Sequence, residues 1–240
     1  MRSLRYALPS LVTLAALTLG LVAIRLAVAG DAVEAAWFIL YAMLLDQLDG
    51  ALARVLDARS QIGAELDSFS DFVAFGLAPA FLVLGAPAGA GGPGFPEHAL
   101  AAVYVYGCAL RLARYNAHDT STGARVFQGL PSTLAGALVA AAVLSAAAHG
   151  FALGGRPLAV LLAALGLLMV AHPLRPPKVN VLLARVAGRG RWWSGIAIGN
   201  VIAVYAAVLW RVAPEYILCL AVAYGGVGSV LGRGSSWQDR

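Results

Sequence analysis

The sequence predicts an all-α protein, a polytopic bundle of about eight membrane-spanning helices with both termini in the cytosol. Three observations predict it. Of the 240 residues, 60% are hydrophobic and 12% charged, with a mean hydropathy of +0.79. A soluble domain carries roughly twice that charge on its surface. The apolar residues are gathered into runs of membrane-spanning length, separated by links rich in Gly, Pro or charge. The basic residues are also unevenly placed. Of the 17 Lys and Arg, Arg156 and Arg211 fall in outward links and Arg25 inside the first run, while all others fall at or near the side taken as cytosolic. The net charge of +5 is accounted for by this bias and by attraction to lipid headgroups, so no nucleic-acid partner is expected.

The elements follow in order. Arg2 and Arg5 precede an apolar run, Ala7 to Ala29, too long for a signal-peptide core and long enough to span. A turn at Gly30-Asp31 leads to a second helix, about Val33 to Leu56. The polar link Asp57–Gly63 precedes a third, about Ala64 to Leu84, in which Pro79 marks a kink or a change of pitch. Gly85–Pro96 is a Gly- and Pro-rich exposed loop. The fourth helix runs from about His98 to Tyr115, and the polar stretch Asn116–Gln128 leads to the fifth, about Pro131 to His149. A sixth, about Leu158 to Ala171, is short and is expected to begin earlier or tilt. The basic stretch Arg175 to Arg191 follows, then two further spans, about Trp192 to Leu209 and Pro214 to Leu231. Trp192, Trp193 and Trp210 stand at helix ends, as interfacial anchors do. Cys108 and Cys219 lie in separate apolar runs, where small core residues are expected, not a disulfide. The whole chain, 1–240, reads as one membrane domain with a core of about 7–178 and an added C-terminal pair over 192–231.

One stretch inside this apolar frame is acidic. Asp46 and Asp49 are three apart near the end of the second helix, and Asp67 and Asp71 four apart near the start of the third. Each pair therefore shares one helix face. Ionisable groups at membrane depth cost about 2.5–3.5 kcal/mol each on insertion scales and usually mark function. If the two helices are antiparallel neighbours, the four carboxylates converge. Hard divalent cations prefer such oxygen donors, and two of them balance four negative charges. A two-metal site of this kind clamps the oxygens of an in-line phosphoryl displacement. Gly50 permits a close approach to the backbone, and Arg54 would face a phosphate. The alternative from another class is a cation-coupled transporter that uses the aspartates as its ion site.

Asp46, Asp49-Gly50, Ala53-Arg54, Gly63, Asp67 and Asp71 occur at the spacing of the CDP-alcohol phosphotransferase signature, which this stretch closely resembles. These are integral-membrane enzymes that build phospholipids from CDP-linked lipids. Three more stretches resemble the branch that makes phosphatidylserine: Phe72 to Ala80, Ala109 to Asn116, and Phe127 to Ser132. Near the N-terminus, Pro9-Ser10-Leu11-Val12-Thr13 departs at Ser10 from a Pro-Asn-x-x-Thr pattern common in the family.

The resemblance implies a set of roles. Asp46, Asp49 and Asp67 would hold one divalent cation, Mg²⁺ or Mn²⁺; Asp46, Asp67 and Asp71 would hold a second. Gly50, Arg54 and Ser60 would contact the CDP group, with Gly63 letting the link pass close to it. Asp71 would be the general base that activates the hydroxyl of L-serine against CDP-diacylglycerol. The same chemistry with another acceptor, glycerol 3-phosphate or inositol phosphate, is the alternative. The pyrophosphate and a serine carboxylate bring more negative charge than Arg54 can balance, so Arg111, Arg114 and Lys178 are candidates for the acceptor and phosphate pocket. Related enzymes are commonly homodimers, and the resemblance implies one here, in the cytoplasmic membrane with its site toward the cytosol.

Overall fold

The structure is a computed structural model that describes residues 2–58, 60–86, 92–119, 129–151, 154–171 and 191–233. All secondary structure among these residues is helical. Helix α1 spans Arg2–Val28 and starts earlier than the apolar run suggests, with Pro9 inside it. A turn with Gly30 at φ +85° leads to α2, Ala32–Val55, whose N-terminus is capped by Asp31 accepting from the Glu34 N–H at 3.2 Å. Ser60 caps α3, Gln61–Asp71, by accepting from the Gly63 N–H at 3.0 Å. The third helix therefore begins three residues before Ala64, and Gly63 lies in its first turn instead of in the link. An extended Ser60 whose hydroxyl accepts from the Gly63 N–H is a strong helix start, and it brings Gln61, Ile62 and Gly63 into the helix.

The expected change of pitch at Pro79 is a π-helical segment, Phe72–Leu77, between α3 and α4, Ala78–Gly85. In an unbroken α-helix the Phe75 carbonyl would accept from the N–H of residue 79, which proline lacks. The Tyr104 hydroxyl donates to that carbonyl instead, at 2.6 Å, from a fully buried position. Ala78 reaches back to the Val73 carbonyl, five residues earlier, which is the π pattern.

The remaining helices are α5 (Phe95–Asp119), α6 (Ser132–Ala148), α7 (Gly155–Val170), α8 (Arg191–Leu209) and α9 (Pro214–Arg233). Helix α7 begins before Leu158, as its short apolar run required. Among the described residues, three helical stretches are long and apolar enough to cross a membrane: Ala7–Val28, Ala32–Val55 and Gln61–Gly85. Ser132–Ala148 and Gly155–Val170 are shorter apolar helices.

Helix α1 lies against α2 on one side and against α3, the π segment and α4 on the other; α5 pairs with α7, and α6 packs against α2 and α9. Small residues let these backbones meet, as is usual where lipid removes the hydrophobic drive between helices. Helices α5 and α7 cross at Gly107 and Gly166, where a Cβ on Gly107 would lie 2.2 Å from the Gly166 carbonyl oxygen. The core is dominated by Ala and Leu around Phe75, Tyr104 and Ile39. Cys108 is buried in it, whereas Cys219 is exposed on α9 and so is not the core residue its apolar run suggested. Nothing around α9 in the described fold covers that face of the helix.

At the end of the bundle away from the acidic residues, two arginine ion pairs join separate elements. Arg211, between α8 and α9, pairs with Glu34 of α2, with Nη2 2.8 Å from Oε2, and its Nε donates to the Tyr41 hydroxyl at 2.8 Å. Arg156 Nε donates to Glu97 Oε1 at 3.2 Å, joining α7 to α5. The C-terminal pair is thereby fastened to the core, with the Tyr205 hydroxyl near the Leu44 carbonyl, at 3.4 Å, as a further contact on α2.

Candidate active site

Three of the four aspartates converge. One carboxylate oxygen from each of Asp46, Asp49 and Asp67 lies within 4.8 Å of the other two. Asp71 follows one turn after Asp67 at the end of α3, an electrostatic neighbour of Asp46. The spacing in sequence explains the geometry. Asp46 and Asp49 leave α2 on the face toward α3, and Asp67 and Asp71 leave the last two turns of α3 toward α2.

Each end of the quartet is held by a neighbour. Asp49 is buried, and the Thr13 hydroxyl of α1 donates to its Oδ2 at 2.7 Å while also lying 3.0 Å from the Pro9 carbonyl. The Ser70 hydroxyl donates to the Thr13 carbonyl at 3.2 Å, so α1 is stitched to α3 at the same level. At the other end, the Ser132 hydroxyl donates to Asp71 Oδ2 at 3.3 Å, and Arg111 Nη1 donates to Ser132 Oγ at 2.8 Å. Arg111 and Ser132 are both buried. Asp71 Oδ1 is buried as well, and no hydrogen-bond donor reaches it among the described residues.

This donor set fits divalent cations. It consists of hard carboxylate oxygens from two helices, carries excess negative charge, and includes one buried oxygen without a hydrogen bond. Asp46, Asp49 and Asp67 form one potential ligand set.

The other predicted residues are distributed unevenly. Gly50 and Arg54 lie one turn apart below Asp49; a Cβ on Gly50 would be 3.5 Å from Arg54 Nη1, so the guanidinium folds back along the helix toward the acidic residues. Arg54 and Ser60 are exposed. The Ser60 hydroxyl is used by the cap of α3, and a Cβ on Gly63 would come within 2.9 Å of it. Arg111 is brought to the quartet, but Arg114, one turn further along α5, is exposed and donates to the Val170 carbonyl at the end of α7, at 3.3 Å. Lys178 lies outside the described residues. Beside the site, Asn116 links α5 to α3, accepting from the Ser68 hydroxyl at 3.1 Å and donating to Glu65 Oε2 at 3.3 Å.

Sequence reasoning missed two residues. Thr13 stood in a noted Pro-x-x-x-Thr spacing, yet its contact with Asp49 depends on the packing of α1 onto α2. Ser132 was visible only as part of a resembling stretch; its Pro131 neighbour, which starts α6, was the available signal.

Residues 6–172 match the family model described as CDP-alcohol phosphatidyltransferase, which ends with α7 and leaves α8 and α9 beyond it. A relative from Helicobacter pylori named CDP-diacylglycerol–serine O-phosphatidyltransferase is 34% identical over 172 residues, covering 70% of each chain. One of the same name from Mycobacterium tuberculosis is 43% identical over 110 residues, 46% of this chain and 37% of its own. A third, from Saccharomyces cerevisiae, is 40% identical over 116 residues, 44% of this chain and 40% of its own.

Proposed function

We propose a specific reaction for this chain, which belongs to the CDP-alcohol phosphatidyltransferase family and is a membrane-embedded enzyme: it transfers the phosphatidyl group of CDP-diacylglycerol to the hydroxyl of L-serine, giving phosphatidylserine and CMP. The observation that carries the reading is the convergence of Asp46, Asp49 and Asp67, with Asp71 one turn further along α3. The relatives' shared name supports serine as the acceptor.

Asp46, Asp49 and Asp67 would hold one divalent cation, and Asp46, Asp67 and Asp71 a second, Mg²⁺ or Mn²⁺. When bound, such ions supply stabilisation of the charge that builds on the pyrophosphate oxygens. The chain's own residues do the rest. Gly50 leaves room for the CDP pyrophosphate beside the helix, and Arg54 and Ser60, both exposed near that face, are placed to contact it. Asp71 takes the proton of the serine hydroxyl. The freed oxygen forms a bond to the lipid-bearing phosphorus as the bond from that phosphorus to the bridging oxygen breaks, and CMP departs with that oxygen. A positioned base of this kind contributes about 10²–10⁴-fold. Arg111 offsets the negative charge around Asp71, and Arg114 and Lys178 extend the basic side toward the serine carboxylate.

The chain crosses the membrane eight times as one domain, with both termini and the site on the cytosolic side of the cell membrane, and works as a homodimer. The Lys and Arg bias supports that topology. The test is to incubate the purified protein with CDP-diacylglycerol, Mg²⁺ or Mn²⁺, and a panel of serine, glycerol 3-phosphate and inositol phosphate, then to identify the lipid product. Phosphatidylserine with stoichiometric CMP is expected. A product from glycerol 3-phosphate instead would reassign the acceptor, and no CMP from any alcohol would overturn the reaction.

A further inference from the structure

Ser132 occupies a position that the transfer reaction does not by itself require. It is the first residue of α6, 1% exposed, and it lies between a cation and a carboxylate. A serine hydroxyl has one proton and two lone pairs, whereas a guanidinium only donates. With Arg111 Nη1 at 2.8 Å, Ser132 Oγ has to accept, and its single proton then goes to Asp71 Oδ2 at 3.3 Å. The direction of this hydroxyl is therefore set by its surroundings.

The anchor is built to stay in place. The Leu130 N–H donates to the Leu168 carbonyl at 3.0 Å, and Pro131 forms the N-cap of α6. Gly129 has φ +80°, and a Cβ there would lie 1.9 Å from the Met169 carbonyl oxygen, so the turn is wedged against α7. Ser132 is thus supported by α6 and α7 together.

We propose that Ser132, oriented by Arg111, is a positioning residue that occupies Asp71 Oδ2 and so presents Oδ1, the buried oxygen without a hydrogen bond, to the acidic cluster and the acceptor hydroxyl. Without that contact the carboxylate rotates and its two oxygens exchange. The proposal rests on the reading of Asp71 as the base, and its test separates the two.

The full-length protein in detergent is compared with Ser132→Ala, Ser132→Thr and Asp71→Asn. Steady-state CMP release gives kcat and KM for CDP-diacylglycerol, a Mn²⁺ titration followed by electron paramagnetic resonance reports ion binding, and thermal unfolding gives Tm. Ser132→Ala should lower kcat by about 10–100-fold, the effect of one hydrogen bond to a charged group. KM and the Mn²⁺ affinity of the Asp46–Asp49–Asp67 group should stay within about threefold, because Asp71 is not part of that group. Ser132→Thr, which keeps the hydroxyl, should regain most of the rate. Full activity in Ser132→Ala beside an inactive Asp71→Asn overturns the positioning role and leaves the base in place. A fall in Tm that Thr does not repair marks Ser132 as merely structural and also overturns it. Full activity in Asp71→Asn removes the base and, with it, this proposal.

Discussion

The two ends of the bundle treat charge in opposite ways. At the outer end, opposite charges meet: Arg211 with Glu34, and Arg156 with Glu97. At the inner end, four like charges are gathered, and one carboxylate oxygen is left buried without a hydrogen bond. The outer pairs fasten one element to another, the α8–α9 link to α2 and α7 to α5. The inner group is costly to the fold and is held by Thr13, Ser70 and Ser132, short hydroxyls that fix direction without cancelling charge. The contrast teaches where function lies. Charge that a fold neutralises internally serves stability, and charge that it assembles and leaves uncompensated is kept for a ligand.

The comparison can be broken most decisively at the inner end. Asp71→Asn should reduce CMP release by about 10²–10⁴-fold while CDP-diacylglycerol binding, read by a radiolabelled lipid, survives. Next in size is Thr13→Val. It removes the donor to Asp49 without changing side-chain shape, and Mn²⁺ or Mg²⁺ activation should need about 10-fold more ion, as loss of a contact behind a metal ligand usually does. If the activation curve does not move, Thr13 serves helix packing alone.

Smaller effects are expected where no ligand is involved. Tyr104→Phe leaves the Phe75 carbonyl at the π segment without its donor, which should cost about 1–3 kcal/mol, read as a lower Tm with KM unchanged. Arg211→Ala should cost about 1 kcal/mol or less, since the pair is partly exposed and alanine keeps the Cβ that strains the backbone at φ 55°. Arg156→Ala should be smallest, a Tm change at the edge of detection with activity unaltered. Hydrogen bonds from its own backbone N–H, then from Arg156, hold Glu97 below the usual carboxylate range. A carboxyl so lowered adds stability above its unfolded value, and that stability is lost as pH falls through the lowered value. The Arg156→Ala difference should therefore be present at neutral pH and vanish in acid. An Arg156 or Arg211 variant that lost activity as strongly as Asp71→Asn would erase the distinction between the two ends.

Much of the site was legible because it depends on helical period. Asp46 with Asp49, and Asp67 with Asp71, must share a face wherever the helices go. Pro79 likewise announced a break, because a residue without an N–H leaves a carbonyl to be satisfied. What satisfies it was not legible: Tyr104 lies 29 residues away on another helix. The same holds for Arg111 and Arg114. Their spacing suggested one shared role, but one is buried against Ser132 and the other is exposed at the end of α7. Cys219 was misjudged for a related reason, since an apolar run in a membrane protein does not reveal which of its faces meets lipid and which meets protein.

By itself the sequence determined that the chain is helical, that it is membrane-embedded, and that four carboxylates are carried on two adjacent helices. Hydropathy and the 3.6-residue period are local properties, and they need no partner to be expressed. Only the tertiary structure decided which hydroxyl holds which carboxylate, that Asp71 keeps one oxygen unbonded, and that Arg111 belongs to the acidic group while Arg114 does not. Those are contacts between distant segments, and their geometry is set by how closely glycines such as Gly107 and Gly166 let the helices approach.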